Sequence, residues 1–144
     1  MKSKGETAGG LLLDTHIWLW FAEGGRKLEI DISQQITKAG SLGQLYLSAI
    51  SLWELAMMFG KGRLTLHMPF REWLQELIAK TSVTILPVDV DAAAETAALP
   101  ESFHGDPSDR LIAATARVHN LSLMTRDKLI LRHGESGFLK CIAA

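Results

Sequence analysis

Four short apolar runs set the frame of this chain: LLL at 11–13, QLYLS at 44–48, VTILPV at 83–88 and LSLMT at 121–125. They are continuous rather than alternating in polarity. A strand with that pattern is buried on both faces. Stretches of helical character separate the runs, and strands that alternate with helices predict an α/β fold with a mainly parallel sheet covered on both sides. In such sheets ligands bind outside the carboxyl ends of the strands.

The helices carry their own punctuation. Residues 15–21 (THIWLWF) read as a helix with Asp14 or Thr15 at its start. Asp31 is expected to cap a second helix, running to about Ala39 and stopped by Gly40. SAISLWELAMMFGKG takes Ser48 as N-cap and places Gly60 just past its end. MPFREWLQELIAK is amphipathic, with Pro69 in its first turn and Phe70, Trp73, Leu74, Leu77 and Ile78 on its buried face. DAAAETAAL is a small alanine-rich helix. In DPSDRLIAATARVHN, Asp106 is placed to cap, Pro107 fits the first helical position and Asn120 suits a left-handed end. The small apolar LIAATA segment should be buried. A short helix near RDKLILRH and a last strand near FLKCI complete the pattern. Residues 1–10 are polar and glycine-rich and read as a flexible tail, leaving 11–144 as one domain.

Composition narrows the classes. At 144 residues and 47% hydrophobic, the chain can build one real core. Its formal net charge is −1, so any contact with nucleic acid must be a local patch. Asp14 and His16 break the apolar run at 11–22, which is therefore neither a membrane span nor a signal-peptide core. Cys141 is the only cysteine, which excludes an internal disulfide and points to a reducing cytoplasm.

The acids at strand-to-helix junctions carry the chemistry. Asp14 ends the first strand, Glu54 lies in the second turn of the helix after QLYLS, and Asp127 follows LSLMT by two residues. Asp109 opens a helix that leads straight back into a strand, so it starts at the same edge. Carboxylates gathered in a crevice must take up protons or bind a cation. An all-oxygen donor set selects Mg²⁺ or Mn²⁺ over zinc, and such a centre suits metal-assisted phosphodiester hydrolysis. Each acid also has a plainer reading. Asp14, Asp106 and Asp127 can be helix caps, Asp109 sits where a capping box puts its acid, and Glu54 could be a solvated helix residue.

LLLDTHIWLW, YLSAISLWELAMMFGKGRL and HGDPSDRLIAATARVHNLSLMTRD, in this order and spacing, resemble the PIN domain and within it the VapC-type toxins of toxin–antitoxin pairs. The resemblance runs from about residue 11 to 141. It implies a three-layer α/β/α fold and a Mg²⁺- or Mn²⁺-dependent endoribonuclease with Asp14, Glu54, Asp109 and Asp127 as catalytic, metal-holding acids. It also implies an RNA substrate, a homodimer and a cognate antitoxin partner. By the same pattern Asp109 takes the metal and Asp106 keeps the cap. Thr15, Ser51 and Thr125 match the family's small polar positions around the acids.

The remaining polar residues take modest roles. His16 and His104 are expected to pack or hydrogen-bond rather than act as bases. Arg110 and Arg126 sit beside proposed ligands and are expected to pair with carboxylates or hold a phosphate. Lys61 and Arg63 read as a solvated basic turn in preference to an RNA contact. Trp18, Trp20, Phe21, Trp53, Met57, Met58 and Phe59 exceed what the helix faces can bury, which hints at a groove or dimer face. An antitoxin would enter such a groove as an amphipathic helix or extended segment. Two rivals to the nuclease are a haloacid-dehalogenase-like phosphatase and a non-catalytic RNA- or protein-binding module. The first wants a second Asp two residues after Asp14, where His16 stands, and the intact acid set argues against the second.

Overall fold

The computed structural model of the chain describes residues 9–103 and 106–144, so His104 and most of the N-terminal stretch lie outside the described residues. The strands are β1 (Leu11–Leu13), β2 (Leu45–Ser48), β3 (Thr84–Leu86), β4 (Ser122–Thr125) and β5 (Cys141–Ala143). The helices are α1 (Thr15–Ala22), α2 (Ile30–Ser41), α3 (Ala49–Gly60), α4 (Phe70–Thr81), α5 (Val90–Ala98), α6 (Pro107–Val118) and α7 (Lys128–Glu135). Every strand pairing is parallel, in the order β3-β2-β1-β4-β5. No helix among the described residues is long and apolar enough to cross a membrane.

β1 is the centre of the sheet, and its three leucines explain why. Successive side chains of a strand face opposite ways. Leu11 and Leu13 join a core with Trp18, Ile36, Leu47, Leu55 and Leu77. Leu12 enters the opposite core with Ile112, Ala113, Leu123 and Ile130. All three leucines are 0–1% exposed, so the run is apolar because both sides of the strand are covered. Helices α1 to α4 supply one outer layer and α5 to α7 the other, giving the α/β/α sandwich.

The order of the strands also fixes where a site can form. From β1 the chain moves outward through β2 and β3, then crosses back to place β4 on the other side of β1. β1 and β4 therefore flank the point where the winding reverses, and a crevice opens beyond their carboxyl ends. The Asp14 N–H donates to the Met124 carbonyl at 3.0 Å, so the two strands are still tied together where they open.

Several helix boundaries differ from the sequence expectation, each for a local reason. Glu29, not Asp31, holds the N-cap position of α2, and Asp31 sits in the first turn, where its charge favours the helix dipole. Gly40 lies inside α2. A Cβ there would make only ordinary contacts, the nearest 3.4 Å from the Thr81 carbonyl, and the helix runs on past this glycine to Ser41. The left-handed residue past α2 is Gly43 (φ 68°), and past α3 it is Gly62 (φ 72°) rather than Gly60. Asn120 is left-handed as expected (φ 55°), and β5 begins at Cys141. Gly10 is buried, its carbonyl accepts from Ser122 N at 3.1 Å, and a Cβ there would lie 2.6 Å from the Tyr46 ring.

Candidate active site

Each acid is placed by the element it begins or rides on. Asp14 caps α1: its Oδ1 accepts from Thr15 N at 2.9 Å, and its Oδ2 accepts from Thr125 Oγ1 at 2.7 Å. Asp127 caps α7, accepting from Leu129 N at 2.8 Å and Ile130 N at 3.1 Å. The Thr125 hydroxyl also accepts from Asp127 N at 3.0 Å, so one buried threonine ties the two acids across the strand ends. Asp14 and Asp127 are thus caps and cleft acids at once. The two readings were never exclusive, because a cap uses one oxygen's lone pairs and leaves others open.

Glu54 comes in from α3. Its Oε1 accepts from Thr15 Oγ1 at 2.5 Å. Thr15 also lies 2.7 Å from Ser51 Oγ, and having donated its one proton to Glu54 it accepts there, so Ser51 is the donor. Asp106 caps α6 through Ser108 N (2.9 Å) and also accepts from Ser108 Oγ (2.8 Å). Asp109 stands in the first turn of α6, half-buried, above the fully buried Ile112–Ala114 stretch.

The sheet edge brings these acids to one cleft of about 330 Å³, lined by Asp14, Glu54, Asp106, Asp109 and Asp127 with His16, Ile17, Trp20 and Arg126. All four sequence-predicted site residues are there. Asp106 is both the expected cap of α6 and a lining residue of the same space. Trp20 was read as core or partner surface, and its place on the cleft wall had no signal in the sequence.

Electrostatically the acids outnumber the cations, since five carboxyls line the cleft beside Arg126. Burial raises the Asp14 carboxyl above its usual range despite the lowering hydrogen bonds from Thr125 and Thr15. Burial likewise raises Glu54 against its bonds to Thr15 and Ser108. Asp109 is pushed up to about 7, first by burial and then by the charges of Asp14, Asp106, Asp127 and Glu54. Neither expected arginine partner relieves this. Arg110 turns away and donates to the carbonyls of Phe103 (3.2 Å) and Thr96 (3.1 Å), clasping α5 to α6. Arg126 stays on the cleft wall but donates to the carbonyls of Ala144 (3.2 Å) and Lys27 (2.8 Å), with its guanidinium 4.7 Å from the Trp20 ring centre.

A hard divalent cation suits such a donor set, which is all carboxylate with surplus negative charge. Among the described residues no three acid, histidine or cysteine side chains already close into a coordination shell.

One consequence is measurable without any reaction. A carboxyl with a raised folded-state pKa stabilises the fold most below its unfolded value and loses that contribution as pH rises through the folded value. With Asp109 raised from 3.8 to about 7, the metal-free protein should lose stability between about pH 4 and pH 7. Thermal unfolding in chelator at stepped pH checks this. The melting temperature should fall less steeply in Asp109→Asn, and equal slopes would contradict the assignment.

Residues 11–135 match the family described as PIN domain. Over 123 residues, 85% of this chain and 91% of the relative, the sequence is 38% identical to Ribonuclease VapC22 of Mycobacterium tuberculosis. The crystal structure of DNA-bound VapBC from Salmonella typhimurium superposes with a TM-score of 0.71, covering 94% of this chain and 98% of that one. At 18% identity that likeness is one of fold alone. The crystal structure of FitAcB from Neisseria gonorrhoeae is 26% identical with a TM-score of 0.60, covering 92% of this chain and 96% of that one.

Proposed function

The chain belongs to the PIN domain family, and on that premise we propose that it is a metal-dependent endoribonuclease toxin, active in the cytoplasm and neutralised by a cognate antitoxin. One observation carries the reading. Acids from four separate elements meet at the crevice where the sheet reverses, and burial and mutual repulsion raise the proton affinity of Asp14, Glu54 and Asp109 there. The identity to a named ribonuclease over most of both chains supports the substrate class.

Asp14, Glu54, Asp109 and Asp127 would hold Mg²⁺ or Mn²⁺. When bound, such an ion supplies a water of lowered pKa and offsets charge on the departing oxygen. The chain's own part is positioning. Thr125 fixes Asp14 against Asp127, and the Ser51–Thr15 relay fixes Glu54. The Asp109 carboxyl, pushed up to about 7, is partly protonated at neutral pH and would have to give up that proton to hold a cation. The nucleophile is water, so the ribose 2′-hydroxyl takes no part and the product carries a 5′-phosphate. End-group analysis of cleaved RNA tests this, and a 2′,3′-cyclic phosphate product would sink the mechanism.

Thr15 gives a sharper test of the positioning. Thr15→Val keeps the shape but removes the donor to Glu54. Losing a partner that orients a metal ligand costs about 10- to 100-fold in metal affinity. Titration of metal-free protein with Mn²⁺ should show that loss, whereas wild-type affinity in the variant would remove Thr15 from the site.

The antitoxin partner is what the VapC-type resemblance implies, and the 38% identity to Ribonuclease VapC22 supports that resemblance. A homodimer is the proposed assembly, and sedimentation of the purified chain reads it directly. A small protein encoded beside the chain should co-purify with it on co-expression, and failure to do so would count against the toxin assignment.

A further inference from the structure

The acid cleft cannot hold a nucleic-acid strand by itself, since its carboxylates repel phosphates. Something next to it must do so. A second groove of about 410 Å³ adjoins the cleft and shares His16, Glu54 and Asp106 with it. Its outer part is of different character. It is lined by Trp53 and Met57 from α3 and by Lys61 and Arg63 from the turn that follows. Trp53 is 53% exposed and Met57 41%, although each is large and apolar. In sequence Lys61 and Arg63 look like a solvated turn. The fold instead puts both cations on the wall of a groove that opens into the acids.

We propose that this groove is the strand-binding subsite, holding a single-stranded stretch of RNA beside the scissile phosphate with a base against Trp53 and phosphates on Lys61 and Arg63. The inference rests on the nuclease reading and deepens it by naming the form of the substrate. An exposed aromatic face with nearby cations is how proteins grip unpaired bases without a sequence code. A paired base has its faces stacked on neighbours and cannot offer one to Trp53, so duplex should be excluded. The cations resolve the choice of occupant. An amphipathic helix would need the apolar residues but not a basic pair at the mouth of an acidic cleft, whereas a phosphate chain needs both. The pair also gives the local patch that a chain of net charge −1 requires.

The test uses full-length protein bearing Asp14→Asn, which binds without cutting, and a dye-labelled single-stranded RNA read by fluorescence anisotropy. Trp53→Ala should weaken binding about 10-fold. Lys61→Ser with Arg63→Ser should weaken it similarly and lower the slope of log K against log salt by about 1.4, the value for two lost phosphate contacts on a single strand. The same RNA annealed to its complement should bind at least about 10-fold more weakly than the single strand. All substituted side chains line an open groove, so circular dichroism should be unchanged. Unaltered affinity and salt slope in both variants would overturn the proposal. So would intact RNA binding with loss of antitoxin or of the dimer, which would give the groove to a protein partner. If the variants lose RNA but the parent Asp14 protein shows no metal-dependent cleavage, the groove stands and the nuclease reading falls.

Discussion

Asp14→Asn should lower metal-dependent RNA cleavage by at least about 10³-fold, or about 4 kcal/mol of transition-state stabilisation. The substitution keeps size and keeps a carbonyl to accept from Thr15 N, so the cap on α1 survives. It removes a negative charge that acts on both Glu54 and Asp109. That charge is the costly part of the fold, since burial disfavours it and it repels Glu54 and Asp109. The same variant should therefore match or exceed the wild type in thermal stability when metal is absent. The combination is the diagnostic: a dead enzyme that melts no lower. A structural acid would behave the other way, with activity falling only as far as stability does. Initial rates in Mg²⁺ and in Mn²⁺, set beside melting curves in chelator, separate the cases. Activity within 10-fold of wild type would remove Asp14 from the chemistry.

Trp18→Ala should cost about 3–5 kcal/mol of stability. For a domain of this size that lowers the melting temperature by roughly 10–15 °C. Trp18 is 0% exposed and sits in the core beneath the sheet with Leu13, Leu47 and Leu77. Its indole N–H donates to Thr81 Oγ1 at 2.9 Å, and Thr81 in turn donates to the Leu77 carbonyl at 2.6 Å. Truncation therefore opens a large cavity and removes one of the two hydrogen bonds of the buried Thr81 hydroxyl. Trp53→Ala on the surface of α3 provides the contrast, since it should move the melting temperature by less than about 2 °C. A Trp18 variant that melts within a few degrees of wild type would mean that α1 and α4 are not joined through this residue.

Much of this was legible because it follows from short-range rules. All four continuous apolar runs are strands, and LLL is the most central and covered on both faces. VTILPV, however, forms the edge strand β3, whose residues are exposed or half-buried because only one neighbour flanks it. Asp106, Pro107 and Asn120 mark both ends of α6 because cap chemistry is local. The convergence of Asp14, Glu54, Asp109 and Asp127 could be read from the directions of strands and helices. A parallel sheet sends strand-to-helix junctions to one edge, and the helix carrying Asp109, which leads back into β4, starts at that same edge. What the sequence hid depends on side chains meeting across elements. Arg110 and Arg126 stand beside acids in the chain, yet each reaches carbonyls from distant segments instead. Gly40 reads as a helix stop but lies inside α2, because the packing of the whole helix outweighs the low propensity of one residue. Lys61 and Arg63 look like a solvated turn until the fold lays them along a groove beside the acids.

Calorimetric titration of the metal-free protein with Mn²⁺, in buffers of different ionisation enthalpy, tests the central claim most directly. At neutral pH the raised Asp109 carboxyl is partly protonated, so a cation that binds among these acids must displace protons. The account predicts saturable binding with net proton release, weakened strongly by Asp14→Asn, and proton release reduced in Asp109→Asn. Saturable binding that ignores both substitutions, or no binding at all, would contradict it.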